Sequence, residues 1–134
     1  MDISQVNFLA VFVAALSSFV IGGVWYSPIM FAKPWMEENG FTEEELKNSN
    51  MAKIFGISFI LSFIIALNLA MFFGGQVDFV MGLTYGAFTG IGWVAMSFGT
   101  SYLFERKSLK LYLINAGNHA VTYIVMGGIL GAWH

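Results

Sequence analysis

Four polar residues near the C-terminal end of the chain could line one face of a helix. They are Asn115, Asn118, His119 and Thr122, and their spacing of three, one and three residues brings all four side chains to the same helical face. His119 lies about ten residues into an apolar segment, which at about 1.5 Å per residue is roughly 15 Å deep in a membrane. An ionisable side chain at that depth suggests a functional site, such as a member of a proton relay, a ligand contact or a haem ligand.

A structural role for His119 is the alternative to a functional one. A neutral imidazole donates one hydrogen bond and accepts another, so polar side chains on neighbouring helices would satisfy it as an interhelical contact. The candidate partners are Asn68, Thr84, Tyr85, Thr89 and Ser97. A haem site would lack a second axial histidine inside the bundle, because the other histidine is His134 at the far end of the chain.

Motifs of the soluble enzyme classes are absent from the sequence. GxSxG, HExxH and GxxxxGK[ST] do not occur, the chain has no cysteine, and no carboxylate pair lies within an apolar segment. The acidic stretch 37–45 lacks the aspartate, asparagine and glycine pattern of a calcium-binding loop. We therefore predict a protein that is not an enzyme, with no catalytic residues, no metal site and no cofactor.

The composition indicates that the elements positioning these side chains lie in a membrane. The chain has 134 residues, of which 57% are hydrophobic and only 10% are charged, whereas soluble domains carry about 25% charged residues. A net charge of −2 without a basic face excludes a nucleic-acid partner. The lipid bilayer is therefore the expected surroundings.

Charged residues divide the chain into four long apolar segments. The charge-free segments are 3–32, 54–77, 79–104 and 111–134. Each exceeds the roughly 20 residues that a helix needs to cross a hydrocarbon core, and none shows the alternation of a barrel strand. We predict an all-α integral membrane four-helix bundle that forms a single domain over 1–134. The four expected transmembrane spans are about 6–26, 54–73, 79–104 and 109–130.

The basic residues predict how the bundle is oriented. All six lie in the connections between spans 1 and 2 and between spans 3 and 4: Lys33, Lys47, Lys53, Arg106, Lys107 and Lys110. The positive-inside rule then makes both termini extracytoplasmic and makes 27–53 a cytoplasmic interfacial segment. We expect a multi-pass protein of the bacterial cytoplasmic (inner) membrane. An acidic start at Asp2 and a long first apolar run argue against a cleaved signal peptide.

The polar segment between spans 1 and 2 contains a helix start. Thr42 and Glu45 have the spacing of a capping box. No glycine or proline follows before Gly56, so the pattern allows this helix to continue into span 2.

Glycines recur at four-residue spacing in the third and fourth predicted spans. Gly82, Gly86 and Gly90 form the most specific stripe, and Gly127 and Gly131 form a second one. Such stripes allow helix backbones to approach closely in lipid. Two roles are open for them, which are packing within the bundle and the seam of a homo-oligomer.

An aromatic motif follows the first predicted span. Trp25 and Tyr26 would anchor the helix at the headgroups, Pro28 would end it, and Trp35 would lie along the interface. A docking surface for a partner or a lipid headgroup is the alternative role of this segment.

Two segments resemble a known family. GGVWYSPIMFAKPWM at 22–36 and SYLFERKSLKLYLINAGNHAVTYIVMGGILGAW at 101–133 are similar to the bacterial membrane-protein family catalogued as domain of unknown function 1761. The resemblance covers essentially the whole chain. It implies a small multi-pass membrane protein without an assigned activity, and it carries over no catalytic residues. At Asn118 and His119 it implies aromatic or apolar residues, so these polar side chains depart from the family pattern.

Two functions from different classes are consistent with these patterns. The first is a non-enzymatic subunit that assembles through its glycine faces into a homo-oligomer or a larger membrane complex. The second is a small transporter or channel-like bundle, in which His119 titrates near its ordinary pKa of about 6.5 and Asn115, Asn118 and Thr122 line a polar path.

Overall fold

The computed structural model describes residues 3–134, and all regular structure in that range is helical. Asp2 lies outside the described residues. A short 3₁₀ turn at Ile3–Gln5 precedes the first long helix. The helices are α1 (Phe8–Trp25), α2 (Ala32–Asn39), α3 (Glu43–Lys47), α4 (Met51–Phe73), α5 (Phe79–Ala87), a π-helical segment (Phe88–Ala95), α6 (Met96–Phe104) and α7 (Leu109–Ala132).

Four of these helical stretches are long and apolar enough to cross a membrane. They are Phe8–Trp25, Met51–Phe73, Phe79–Phe104 and Leu109–Ala132. The third span is continuous through α5, the π segment and α6. The prediction of an all-α fold with four membrane-spanning helices is confirmed.

Side-chain caps define where the helices begin. Asn7, Thr42, Asn50, Asp78 and Ser108 each accept a hydrogen bond from the backbone amide three residues ahead. These bonds satisfy amides that have no partner within the helix. Each of these caps stands at the edge of an apolar or acidic run.

The helix that begins after Thr42 does not continue into span 2, so that possibility is wrong. It ends at Lys47, and α4 begins anew at Met51 with Asn50 as its cap. The intervening residues are Asn48, Ser49 and Asn50. Such side chains bond to nearby backbone groups and thereby compete with helix formation, as the Ser49 hydroxyl does by donating to the Leu46 carbonyl.

Helix α7 is the centre of the bundle. It packs most extensively on α5, also packs on α1 and the π segment, and makes fewer contacts with α4, which rests mainly on α1. The apolar core lies toward the end of the bundle that holds both termini. Its buried members are Ala10, Val11, Ala14, Ala66, Leu69, Phe73, Val77, Met126 and Leu130.

The other half of α4 stands apart from the core. Residues 51–57 are all exposed. In this half α4 is held to α1 through ring contacts, including Phe19 with Phe55 at a centroid separation of 6.3 Å and Phe12 with Phe59 at 5.7 Å. The bundle is therefore closed at one end and open along α4 at the other.

The glycine stripes lie in the contact between α5 and α7. A Cβ atom added at Gly82 would overlap the Gly127 carbonyl, one at Gly86 would overlap the Tyr123 carbonyl, and one at Gly131 would overlap the Asp78 carbonyl. Gly90, in the π segment, faces Tyr123 and Ala120 of α7 in the same way. All five glycines of the two stripes are buried within the chain, so a second copy would have to bind elsewhere.

Substitution of Gly86 by alanine should destabilise the bundle. The new Cβ would meet helix backbone rather than a flexible side chain, so we expect a loss of about 1 to 3 kcal/mol, the usual cost of overpacking. The matched control is Gly56→Ala on α4, where nothing lies within 4 Å of an added Cβ. Thermal unfolding in mild detergent measures both. Equal midpoints for the two variants would contradict the close α5–α7 contact.

Candidate ligand groove

The structure divides the polar face of α7 into two parts, and Asn115 belongs to the first. Its Oδ1 accepts a hydrogen bond from the Tyr26 hydroxyl at 2.7 Å, and its Nδ2 donates to the Tyr102 hydroxyl at 2.8 Å. Tyr26 directly follows α1, and Tyr102 lies on α6. Asn115 therefore links three spans, and both ends of its amide are engaged.

Trp25 forms a second link between α1 and α7. Its indole Nε1 donates to the Ile114 carbonyl at 2.8 Å. The indole ring lies close against Gly117, where an added Cβ would come within 2.9 Å of a ring carbon. Gly117 therefore makes room for the tryptophan.

The remaining residues of the aromatic motif form a chain of ring contacts next to these hydrogen bonds. The ring centroids of Tyr26 and Trp35 are 5.6 Å apart, and those of Trp25 and Phe31 are 5.0 Å apart. Pro28 is exposed in the turn after α1. The end of α1 and the segment after it are thus packed onto α7 by Trp25 and Tyr26, a role beyond the interfacial anchoring that the composition predicts.

Asn118, His119 and Thr122 belong to the second part of the polar face and line a cavity of about 890 Å³. Its walls come from α1, α4 and α7, with Tyr26 and Trp35 at one end. Three serines, Ser18, Ser58 and Ser62, add to its polar surface. The other lining residues are Phe19, Gly22, Gly23, Met51, Ile54, Phe55, Ile65, Tyr123 and Met126. None of the described lining residues is an aspartate, glutamate, lysine or arginine.

Two buried oxygen atoms at this cavity have no hydrogen-bond partner within residues 3–134. They are Oδ1 of Asn118 and Oγ1 of Thr122. The Thr122 residue is only 6% exposed. By contrast, the Ser18 hydroxyl contacts the Ser62 hydroxyl at 3.1 Å and donates to the Ala15 carbonyl at 2.6 Å. Both buried oxygens that lack a partner at this cavity therefore belong to α7.

His119 packs edge-on against Phe98 of α6, with ring centroids 4.9 Å apart. In the part of the chain that the structure describes, no expected side-chain partner is hydrogen-bonded to the imidazole. Thr84 and Thr89 instead donate to carbonyls of their own helix. His119 thus stands beside the two unpaired oxygens without a polar contact from a neighbouring span.

A second cavity of about 620 Å³ continues along α4 toward the closed end of the bundle. It lies between α4 and the π segment, and Ile65 and Tyr123 line both cavities. We call the two together the α4 groove. The gap exists because α4 packs on α1 and α7 rather than on the third span.

The π segment forms part of the wall of the α4 groove. Phe88, Thr89, Gly92, Trp93 and Val94 of this segment line the second cavity. The Tyr112 hydroxyl donates to the Ala95 carbonyl at 2.8 Å, at the end of the segment. Wide π turns occur often at functional sites, and this one widens the third span beside the groove.

Several residues of the site were missed in the sequence. Ser58 and Ser62 lie four residues apart on α4, a spacing that could have marked a polar stripe facing α7. Tyr102 and Gly117 carry no such local signal, because their roles depend on which helices become neighbours. Within the described residues no group of three or more histidine, aspartate or glutamate side chains could hold a metal ion.

The chain belongs to the family described as Protein of unknown function (DUF1761), whose model matches residues 9–131. The family resemblance of the two motif segments is therefore confirmed. Neither a curated protein nor a solved structure matches the chain.

Replacement of Asn115 by leucine should loosen the link between three spans. The hydroxyls of Tyr26 and Tyr102 would both lose their partner, and interhelical hydrogen bonds in membranes contribute about 0.6 kcal/mol each on average. We expect a destabilisation of about 1 kcal/mol by thermal unfolding in mild detergent. Tyr85→Phe is the control, because the exposed Tyr85 hydroxyl makes no such bond in the described structure. An unchanged midpoint for Asn115→Leu would contradict the linking role.

Proposed function

We propose that the protein is a small non-enzymatic membrane protein that holds an uncharged amphipathic molecule in the α4 groove. The observation that carries this proposal is the pair of unpartnered oxygens, Asn118 Oδ1 and Thr122 Oγ1, on residues that line a large cavity. Both oxygens are covered by protein atoms in the structure, so the polar end of the molecule would bind them once the Asn118 and Thr122 side chains rotate toward the cavity.

The energetics of buried polar groups support a bound partner. A buried acceptor left unpaired costs about 1 to 3 kcal/mol, and the hydrocarbon core offers no water in exchange. The amide oxygen of Asn118 only accepts hydrogen bonds, whereas the Thr122 hydroxyl both donates and accepts. A ligand hydroxyl would satisfy both atoms, and so would a ligand amide that donates its N–H to Asn118 and accepts from Thr122 at its carbonyl oxygen.

The lining of the groove favours an uncharged ligand. A charged headgroup in a low-dielectric site needs a counter-charge, and the described lining residues include no aspartate, glutamate, lysine or arginine. His119 offers the ligand one further hydrogen-bonding group. The apolar remainder of the wall suits a hydrocarbon tail.

The size and the position of the groove agree with such a ligand. Small-molecule sites typically have volumes of about 300 to 1,000 Å³, and the cavity beside Thr122 has about 890 Å³. The second cavity extends past Ile65 and Tyr123, where a tail would follow α4. If the protein transports rather than stores its ligand, this groove is where the substrate would bind.

Assembly as an accessory subunit or homo-oligomer is the second candidate function. The exposure of α4 favours this function. In its most apolar stretch of 18 residues the mean hydropathy is 2.3, and only 11% of those residues are buried within the chain. A partner helix seated along α4 would cover the groove. The glycine stripes lend this function no support, because α5 and α7 use them to contact each other.

The protein extracted into polymer nanodiscs without detergent should retain one amphipathic molecule in native mass spectrometry. Asn118→Leu combined with Thr122→Val should lose it, because both unpaired oxygens are removed. Thr100→Val is the control, since the Thr100 hydroxyl bonds within its own helix on an exposed face. A bare monomer would contradict ligand binding, and a defined dimer or a co-extracted protein would favour assembly.

We propose the bacterial cytoplasmic membrane as the location, with both termini outside the cytoplasm. Support comes from the six lysines and arginines, which all lie in the α1–α4 and α6–α7 connections or at the first residues of α4 and α7.

The absence of cysteine makes this orientation directly measurable. A membrane-impermeant maleimide should label Gln76→Cys in intact cells and should label Asn48→Cys only after the membrane is opened. Both positions are exposed and lie outside the spans. The reverse pattern would place the termini inside the cell.

A further inference from the structure

We infer that the end of the bundle opposite both termini carries a separate site for an anionic phospholipid, with its phosphate between Lys33 and Lys110. The two lysines line one cavity of about 450 Å³ between α2 and the start of α7. The rest of its wall is formed by Phe31, Pro34, Glu37, Leu113 and Ile114. No lining residue is shared with the α4 groove, so the inference is independent of the proposed function.

The charges at this cavity call for an anion. Within residues 3–134 neither Lys33 nor Lys110 is in an ion pair. All three charged residues that line the cavity are exposed. The lining residues alone, two lysines and Glu37, carry one net positive charge, which the single negative charge of a phosphodiester would balance. The Glu38 carboxylate lies at the polar edge and accepts from the Ser108 hydroxyl. A lysine ammonium binds phosphate as a point charge.

The vertical order of the lining groups matches the layout of a phospholipid. Lys110 is the second residue of α7, and Leu113 lies one turn further along, about 4.5 Å closer to the membrane centre. Leu113 is 59% exposed and therefore available to an acyl chain. A headgroup at the lysines would place its glycerol and first methylenes over this apolar surface.

Helix α2 is held in place beside α7. Lys33 and Glu37 lie four residues apart and so share one face of α2. The Ser108 hydroxyl, which also caps α7, donates to a carboxylate oxygen of Glu38. The two walls of the cavity are therefore joined at its polar edge, and a lipid would enter from the bilayer side.

The test is lipid binding by the purified full chain in mild detergent, measured by native mass spectrometry during titration with phosphatidylglycerol. Lys33→Gln combined with Lys110→Gln should weaken binding about 30-fold, because each basic residue near an anionic lipid surface contributes about fivefold. Lys47→Gln combined with Lys53→Gln removes the same charge from the same side of the bundle without touching the cavity, and should change binding little. Thermal midpoints near that of the wild type establish that both variants are folded.

Three results would overturn the inference. Equal losses in the two double variants would indicate general attraction to the basic end rather than a site. Equally tight binding of phosphatidylcholine would show that the net charge of the headgroup does not matter. Inorganic phosphate that binds as tightly as phosphatidylglycerol would identify the occupant as a free anion, because the acyl chains would then contribute nothing.

Discussion

The close backbone contact between α5 and α7 determines the arrangement of the other helices. Glycines facing each other across this contact leave no space for a third element between the two helices. Helix α1 then packs on another side of α7, where Trp25 bonds to its backbone. Helix α4 is left to rest mainly on α1. The groove between α4 and the third span is the direct consequence of this order of packing.

The difference between Asn115 and Asn118 shows how one helix carries both a structural and a candidate binding function. The two asparagines are three residues apart on one face of α7. Asn115 has both amide ends bonded to tyrosines of other spans, whereas Asn118 has a buried oxygen with no partner. In hydrocarbon an unpaired buried oxygen such as that of Asn118 is the costly case. The neighbouring helices supply no partner for it, whereas a ligand bound in the groove would.

Local patterns predicted the helices but not how they meet. The four spans, the cap at Thr42 and the four-residue glycine spacing depend on short stretches of sequence, so local patterns predict them. The break at Asn48 to Asn50 was also local, yet it was missed because no glycine or proline marks it. The pairing of Tyr26 with Asn115 depends on helix rotation and neighbour choice. The α4 groove depends on a contact that is not made, for which no residue pattern is diagnostic.

Helix α2 joins the two candidate sites through opposite faces. Lys33 and Glu37 line the cavity proposed for a phospholipid on one face, and Trp35 on the other face lines the α4 groove. Trp35 packs on Tyr26, whose hydroxyl is bonded to Asn115 of α7. A rotation of α2 would move Lys33 and Trp35 together, so the shapes of both cavities depend on the same short helix.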